Sequence, residues 1–279
     1  MNGRRGRIVG LRRLVVGVAL LGVVLLFATA GSAALRRAWC ALRSVAAARL
    51  SDRAVARHGD SASRLSIVID DFGYADSALV AGFIQLDTSL SVAVLPYQPH
   101  SRLSAELAHR AGNDVLLHLP MEGRPGSDPG PHALLSSLGE AELRARTRQA
   151  LLDVPYVVGT NNHMGSVLTA DATRMRWVLE EVRDRRLFFI DSRTTARSVA
   201  ATLSREMGIP SASRRVFLDD SRGFADIERE WARALRYADT EGSALIIGHV
   251  YPETLAALRL LVARDRARVT LVRARELAR

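Results

Sequence analysis

Two adjacent aspartates, Asp70-Asp71, stand directly after the apolar run Leu65–Ile69 and lead into Phe72-Gly73. The pattern recurs along the chain. His118 sits near the end of a second such run, with Glu122 shortly after, and Asn161-Asn162-His163 follow another. Asp191-Ser192-Arg193, Asp219-Asp220 and His249 each close one more. Aspartate oxygens and histidine nitrogens suit Zn2+ or a similar divalent ion, whose catalytic sites use about three protein ligands and a water. Such an ion brings the pKa of its water to ~7. A second carboxylate beside it can then serve as base, and a histidine across from it can protonate a leaving group. Two neighbouring carboxylates repel each other unless a cation lies by them, so a metal is a natural companion for Asp70-Asp71. Taken singly, each residue has a plainer explanation. An aspartate after a strand often caps the next helix, the simpler account of Asp219-Asp220, and a lone histidine is often a packing residue. Six strand ends sharing the habit exceed what folding stability requires.

The elements that must position these residues are legible as alternation. Short apolar runs at Leu65–Ile69, Ser91–Leu95, Asp114–Leu119, Tyr156–Gly159, Leu187–Ile190, Val216–Leu218, Ala244–Ile247 and Val269–Val272 read as strands. Between them, Ala75–Gln85, Arg102–Ala111, Glu140–Leu152, Asp171–Arg185, Ser198–Met207, Phe224–Glu241 and Pro252–Arg264 carry apolar residues at three- and four-residue spacing and predict helices. Buried strands alternating with helices imply an α/β fold with a mostly parallel sheet, and this many repeats suit a barrel or distorted barrel. In such folds sites form beyond the carboxyl ends of the strands, where the polar residues fall. No Gly-x-Gly-x-x-Gly follows the first strand and no Gly-x-Ser-x-Gly elbow is present, so dinucleotide binding and serine hydrolysis have no support.

The 279 residues carry a formal charge of +10, which would suggest a nucleic-acid partner if it were spread evenly. Residues 1–57 contain eleven arginines against the single acid Asp52 and supply the whole excess, leaving a neutral remainder with no field for a polyanion. Arg4, Arg5, Arg7, Arg12 and Arg13 precede the uncharged run Leu14–Leu35, about the 20 residues that cross a bilayer. The basic cluster belongs on the cytoplasmic side, so the rest is expected outside, tethered to the cytoplasmic membrane on its periplasmic or extracellular face. Ala28-Thr29-Ala30 leaves cleavage and secretion as the alternative. The expected layout is a basic stub and transmembrane or signal segment over 1–35, a stalk and linker over 36–63, and one catalytic domain over 64–279. The single cysteine, Cys40, excludes an internal disulfide and a cysteine metal site.

Five strings carry a family resemblance: Ile69-Asp70-Asp71-Phe72-Gly73-Tyr74, His118-Leu119-Pro120-Met121-Glu122, Gly159-Thr160-Asn161-Asn162-His163-Met164-Gly165-Ser166, Phe189-Ile190-Asp191-Ser192-Arg193-Thr194 and Ile247-Gly248-His249. In this order they resemble the divergent polysaccharide deacetylases, related to carbohydrate esterase family 4 and the NodB-like deacetylases, from about Arg64 to the C-terminus. The resemblance implies a distorted seven-stranded β/α barrel that removes acetyl groups from N-acetylated sugars of an envelope or extracellular glycan. It implies Asp70 as general base, Asp71 and His118 as metal ligands, His249 as general acid and Asp191 as the aspartate that tunes it. Two departures stand out. Glu122 occupies the place of the second metal histidine, so His163 is expected to complete the ligand set, with Glu122 in reserve. The Arg-x-Pro-Tyr string of the wider family is absent. Asn161, Asn162 and Arg193 are candidates for substrate contact or support. The altered ligand set leaves one alternative: a catalytically inactive relative that binds glycan or a protein partner.

Overall fold

The computed structural model describes residues 63–279, so the basic stub, spanning segment and stalk expected further upstream lie outside the described residues. Among those described, no helix is long and apolar enough to cross a membrane.

Among the described residues, nine strands form one sheet: β1 (Ser63–Phe72), β2 (Ser91–Val94), β3 (Asp114–Met121), β4 (Val157–Met164), β5 (Phe188–Asp191), β6 (Ser211–Ser213), β7 (Val216–Phe217), β8 (Ser243–His249) and β9 (Val269–Leu271). Eight lie in the order β6-β5-β4-β3-β2-β1-β8-β7, and β9 branches onto β1. Every pairing is parallel. No ladder joins β6 to β7 among the described residues, so the expected seven-stranded barrel is instead a curled half-barrel of eight strands in a row. The connecting helices are α1 (Ser77–Ile84), α2 (Ser101–Ala111), α3 (Glu140–Asp153), α4 (Ala172–Asp184), α5 (Ala200–Glu206), α6 (Phe224–Glu241) and α7 (Pro252–Asp265). A short α8 (Ala274–Leu277) follows β9.

Local chemistry sets the helix ends. Asp76 caps α1 by accepting from the Leu79 amide at 2.8 Å, and Asp171 caps α4 through the Arg174 amide at 3.0 Å. Gly112 ends α2 in the left-handed region, at φ 87°.

Period-2 alternation sorts the strand residues into two layers. Leu65, Ile67 and Ile69 of β1, Leu117 and Leu119 of β3, and Ile246 of β8 face the helices in the larger core, with Trp231 of α6 fully buried among them. Burial stabilises each such large side chain by about 1.5–3 kcal/mol. Val68, Leu116, Phe188, Ile190, Leu245 and Ile247 face the concave side in a smaller cluster that includes Ala274 of α8. The concave layer fixes the site. Continuing each strand by two residues from Val68, Leu116 and Ile247 gives Asp70, His118 and His249.

Candidate active site

Asp70 pairs in register with His249 on β8, and His118 with Asn161 on β4, so four polar side chains follow the apolar concave layer at the carboxyl ends of adjacent strands. Strand β4 runs five residues beyond the expected Gly159. Asn161, Asn162 and His163 therefore belong to the strand and not to the loop after it.

In a regular strand Asp71 would turn away from Asp70. Between Ile69 and Phe72, however, β1 advances three residues against two of β2, and Asp71 takes φ 66°. This bulge re-aims the carboxylate into the cleft, at the cost of a left-handed backbone that an aspartate tolerates better than most residues. Met164 (φ 53°) and Arg193 (φ 50°) adopt the same region at the ends of β4 and β5. Local strain of this kind clusters at sites where geometry is over-determined.

Asp71, His118 and His163 converge. Asp71 Oδ1 lies 3.3 Å from His118 Nε2 and 3.1 Å from His163 Nδ1, and the two nitrogens are 3.1 Å apart. Although both rings are close, Asp71 Oδ1 is buried and takes no hydrogen bond. Asn161 fixes the chemistry of this triangle. Its amide donates to Asp70 Oδ1 at 2.8 Å, so its oxygen faces His118 Nδ1 at 2.9 Å and that nitrogen must carry the proton. In the neutral imidazole, Nε2 is then the lone pair that faces His163 and the Asp71 carboxylate, the tautomer a metal ligand needs. Bonds of about 2.0–2.1 Å in a tetrahedron place ligand atoms roughly 3.3 Å apart, which this triangle matches. Asp71, His118 and His163 thus form a candidate metal centre. Glu122 does not join it. Its carboxylate accepts the Ser136 amide at 2.5 Å while its backbone bonds Leu134 and Val167, so it pins the loop after β3.

The neighbouring groups carry perturbed acidities. Burial raises the Asp70 carboxyl above its ordinary value, against the attraction of His118 and His249. Burial works the same way on Asp71, but the imidazoles of His118 and His163 outweigh it and hold that carboxyl far below its usual range. His118 is raised: burial disfavours its charge, and the nearby Asp70 and Asp71 more than compensate. Burial also opposes the charge on His249, yet its contact with Asp219 pushes it up to about 9.

Asp219, and not Asp191, is the carboxylate beside His249. It meets His249 Nδ1 at 2.7 Å, accepts the His249 amide at 2.7 Å and accepts the Thr254 hydroxyl at 2.6 Å. Gly248 permits the approach, since a Cβ there would stand 3.3 Å from Asp219 Oδ2. Asp191 cannot reach, because Ile190 points into the concave cluster and Asp191 therefore points outward. There it accepts from the Ser198 hydroxyl (2.8 Å) and the Ala201 amide (3.4 Å), tying down the start of α5. Sequence reasoning treated Asp219 as a helix cap. The available signal was its place at the end of β7, the strand paired with the one that carries His249.

Of the remaining candidates, Asn162 is a clamp. Its side chain donates to the Met164 carbonyl at 2.7 Å and accepts the Ser192 amide at 2.9 Å, joining β4 to β5. Arg193 is exposed and lines a cavity with Arg124 and Arg214. Arg214 and the aromatic pair Phe217 and Tyr251, which flank the His249 ring at 5.6 Å and 5.4 Å, carried no sequence signal.

Fold and site together define a parallel α/β half-barrel with an Asp-His-His cluster at the carboxyl ends of its strands. Comparison with known proteins supplies the lineage. The family model of divergent polysaccharide deacetylases matches residues 67–278, and the chain belongs to that family. An uncharacterized protein of Haemophilus influenzae is 39% identical over 203 residues, spanning 71% of this chain and 70% of its own. The uncharacterized protein YibQ of Escherichia coli is 37% identical over 219 residues, 77% of this chain and 67% of its own. Among solved structures, an uncharacterized protein of Agrobacterium tumefaciens superposes with a TM-score of 0.73 at 22% identity, covering 79% of this chain and 91% of that one. That last likeness concerns the fold alone.

Proposed function

We propose that this protein is a metal-dependent hydrolase that removes acetyl groups from N-acetylated sugars of an envelope or extracellular polysaccharide. The observation that carries the reading is the triangle of Asp71, His118 and His163, flanked by a buried carboxylate, Asp70, and by the His249–Asp219 pair. Two nitrogens and one oxygen at this spacing favour Zn2+ over harder ions. Bound there, the cation supplies Lewis acidity, polarising an acyl oxygen and making a nearby water easier to deprotonate.

The protein's own groups divide the rest of the work. Asp70, its pKa raised by burial and its orientation set by Asn161, accepts the proton of the attacking water. The water oxygen bonds to the acetamide carbonyl carbon. When the C–N bond breaks, His249 gives its proton to the departing amine, leaving acetate and a free amino sugar. Asp219 holds His249 protonated and oriented for that step. The N-terminal segment would tether this activity on the far side of the cytoplasmic membrane.

Acetate release from N-acetylglucosamine oligomers tests the assignment. Asp70→Asn and His249→Gln should each lower turnover by about 100- to 10,000-fold, the usual worth of a general base or acid. Unchanged turnover in either variant would remove that residue from its role.

A further inference from the structure

The domain's near-zero net charge hides an uneven distribution. A cavity of about 410 Å³ opens beside the candidate site, lined by Arg124, Arg193 and Arg214, with Asp220 as its one acid and Met164 and Phe217 as apolar walls. Its position ties it to the reaction. Phe217 stacks on the His249 ring, 15° from parallel, and Met164 directly follows His163. A volume of this size suits a small-molecule group of roughly one sugar residue.

Arg214 is the most telling member. Its guanidinium lies 3.7 Å over the Phe217 ring, and it donates to the carbonyls of Ser192 at 2.6 Å and Arg193 at 2.8 Å. Burial lowers its pKa to about 10. Among the described residues, no carboxylate comes within ion-pair distance of Arg214, Arg193 or Arg124, whereas most other arginines of the domain are paired. A partly desolvated guanidinium held by carbonyls faces this space with two further cations, against the single carboxylate of Asp220 in the lining. With Nε and Nη2 each donating to a carbonyl, the remaining N–H groups of the guanidinium are left for an oxyanion.

We propose that this cavity binds a carboxylate or phosphate carried by the acylated sugar, so that the preferred substrate is an anionic N-acyl sugar and not a neutral one. Arg214, Arg193 and Arg124 then set specificity next to the group that protonates the leaving amine. This inference rests on the deacetylase reading for its choice of sugar, but its test does not depend on turnover.

The test is calorimetric binding of three probes to the purified protein: N-acetylglucosamine, N-acetylmuramic acid and N-acetylglucosamine 6-phosphate. At least one anionic probe should bind about tenfold more tightly than the neutral sugar, and whichever gains identifies carboxylate or phosphate as the source. That ratio should fall towards one in Arg214→Gln, and also in Arg193→Gln and Arg124→Gln, whose exposed side chains make misfolding an inadequate explanation. Equal affinities, no binding of either anionic probe up to about 10 mM, or a ratio indifferent to all three substitutions would overturn the proposal. Acetate release without anion preference defeats the subsite alone. Anion preference without acetate release defeats the deacetylase reading alone.

Discussion

Asn161 shows how one amide can dictate the chemistry of its neighbours. Between the Asp70 carboxylate and His118 it has one workable orientation, which puts a proton on His118 Nδ1, makes Nε2 the nitrogen that can ligate, and holds Asp70 as an acceptor. The aspartates and histidines were legible in the sequence because few roles other than catalysis and metal binding place them at so many strand ends. The purpose of Asn161 was not, since an asparagine beside another asparagine has no signature until its partners are known. The Asp219–His249 pair yields the pH dependence. His249 titrates near 9, above the ordinary imidazole, so the folded state binds its proton more tightly than the unfolded chain does. Its contribution to stability is therefore fully present below the ordinary imidazole value and is lost as pH rises through about 9. As a general acid it works only while protonated, so acetate release should fall on the alkaline side near pH 9. Removing the charge with Asp219→Asn should move that limb down towards the ordinary value of 6.5. A pH–rate profile whose alkaline limb stays in place would detach Asp219 from this function.

At the scale of elements, alternation explains both the success and the error of the sequence reading. Apolar runs located the strands, and the polar residues two positions beyond the concave layer, Asp70, His118 and His249, fell where a parallel sheet puts a site. The same period counts against Asp191: its neighbour Ile190 faces inward, so the aspartate faces α5. Similarity of strings could not supply that parity, because a strand's facing is known only once its pairing is. Asp71 is the opposite case, where a bulge breaks the period and brings a second carboxylate to the cleft. Asp191→Ala should therefore act on stability. It leaves the Ser198 hydroxyl and the Ala201 amide without their acceptor and should cost about 1–3 kcal/mol in urea unfolding, with acetate release per folded molecule retained. Lost turnover with unchanged stability would return Asp191 to the catalytic machinery.

For the domain as a whole, the sequence revealed repeating β and α segments but not how the sheet would close. Ser211–Ser213 has too few apolar residues to register as a strand, yet β6 forms one end of the row, and Ser211 exchanges two backbone hydrogen bonds with Arg279. The end of the half-barrel away from the site is fastened by Asp114, which is fully buried and receives Arg273 at 3.0 Å and the Nε of Arg275 at 2.6 Å. Both arginines are about a third or more exposed, which tempers the strength of the clasp. Asp114→Ala should lower stability by about 1–2 kcal/mol in urea unfolding while sparing acetate release at 25 °C, since it lies at the other end of β3 from His118. Loss of turnover in the folded variant would show that the two ends are coupled.

The central claim is that Asp71, His118 and His163 hold a metal ion, and the direct measurement is the metal content of the purified protein after incubation with Zn2+ and removal of excess. The wild type should retain about one ion per chain, and Asp71→Ala, His118→Ala and His163→Ala should each lose it, while Glu122→Ala keeps it. A wild type that retains no metal, or alanine variants that keep it, would contradict the account and favour a glycan- or partner-binding protein that makes no use of a metal.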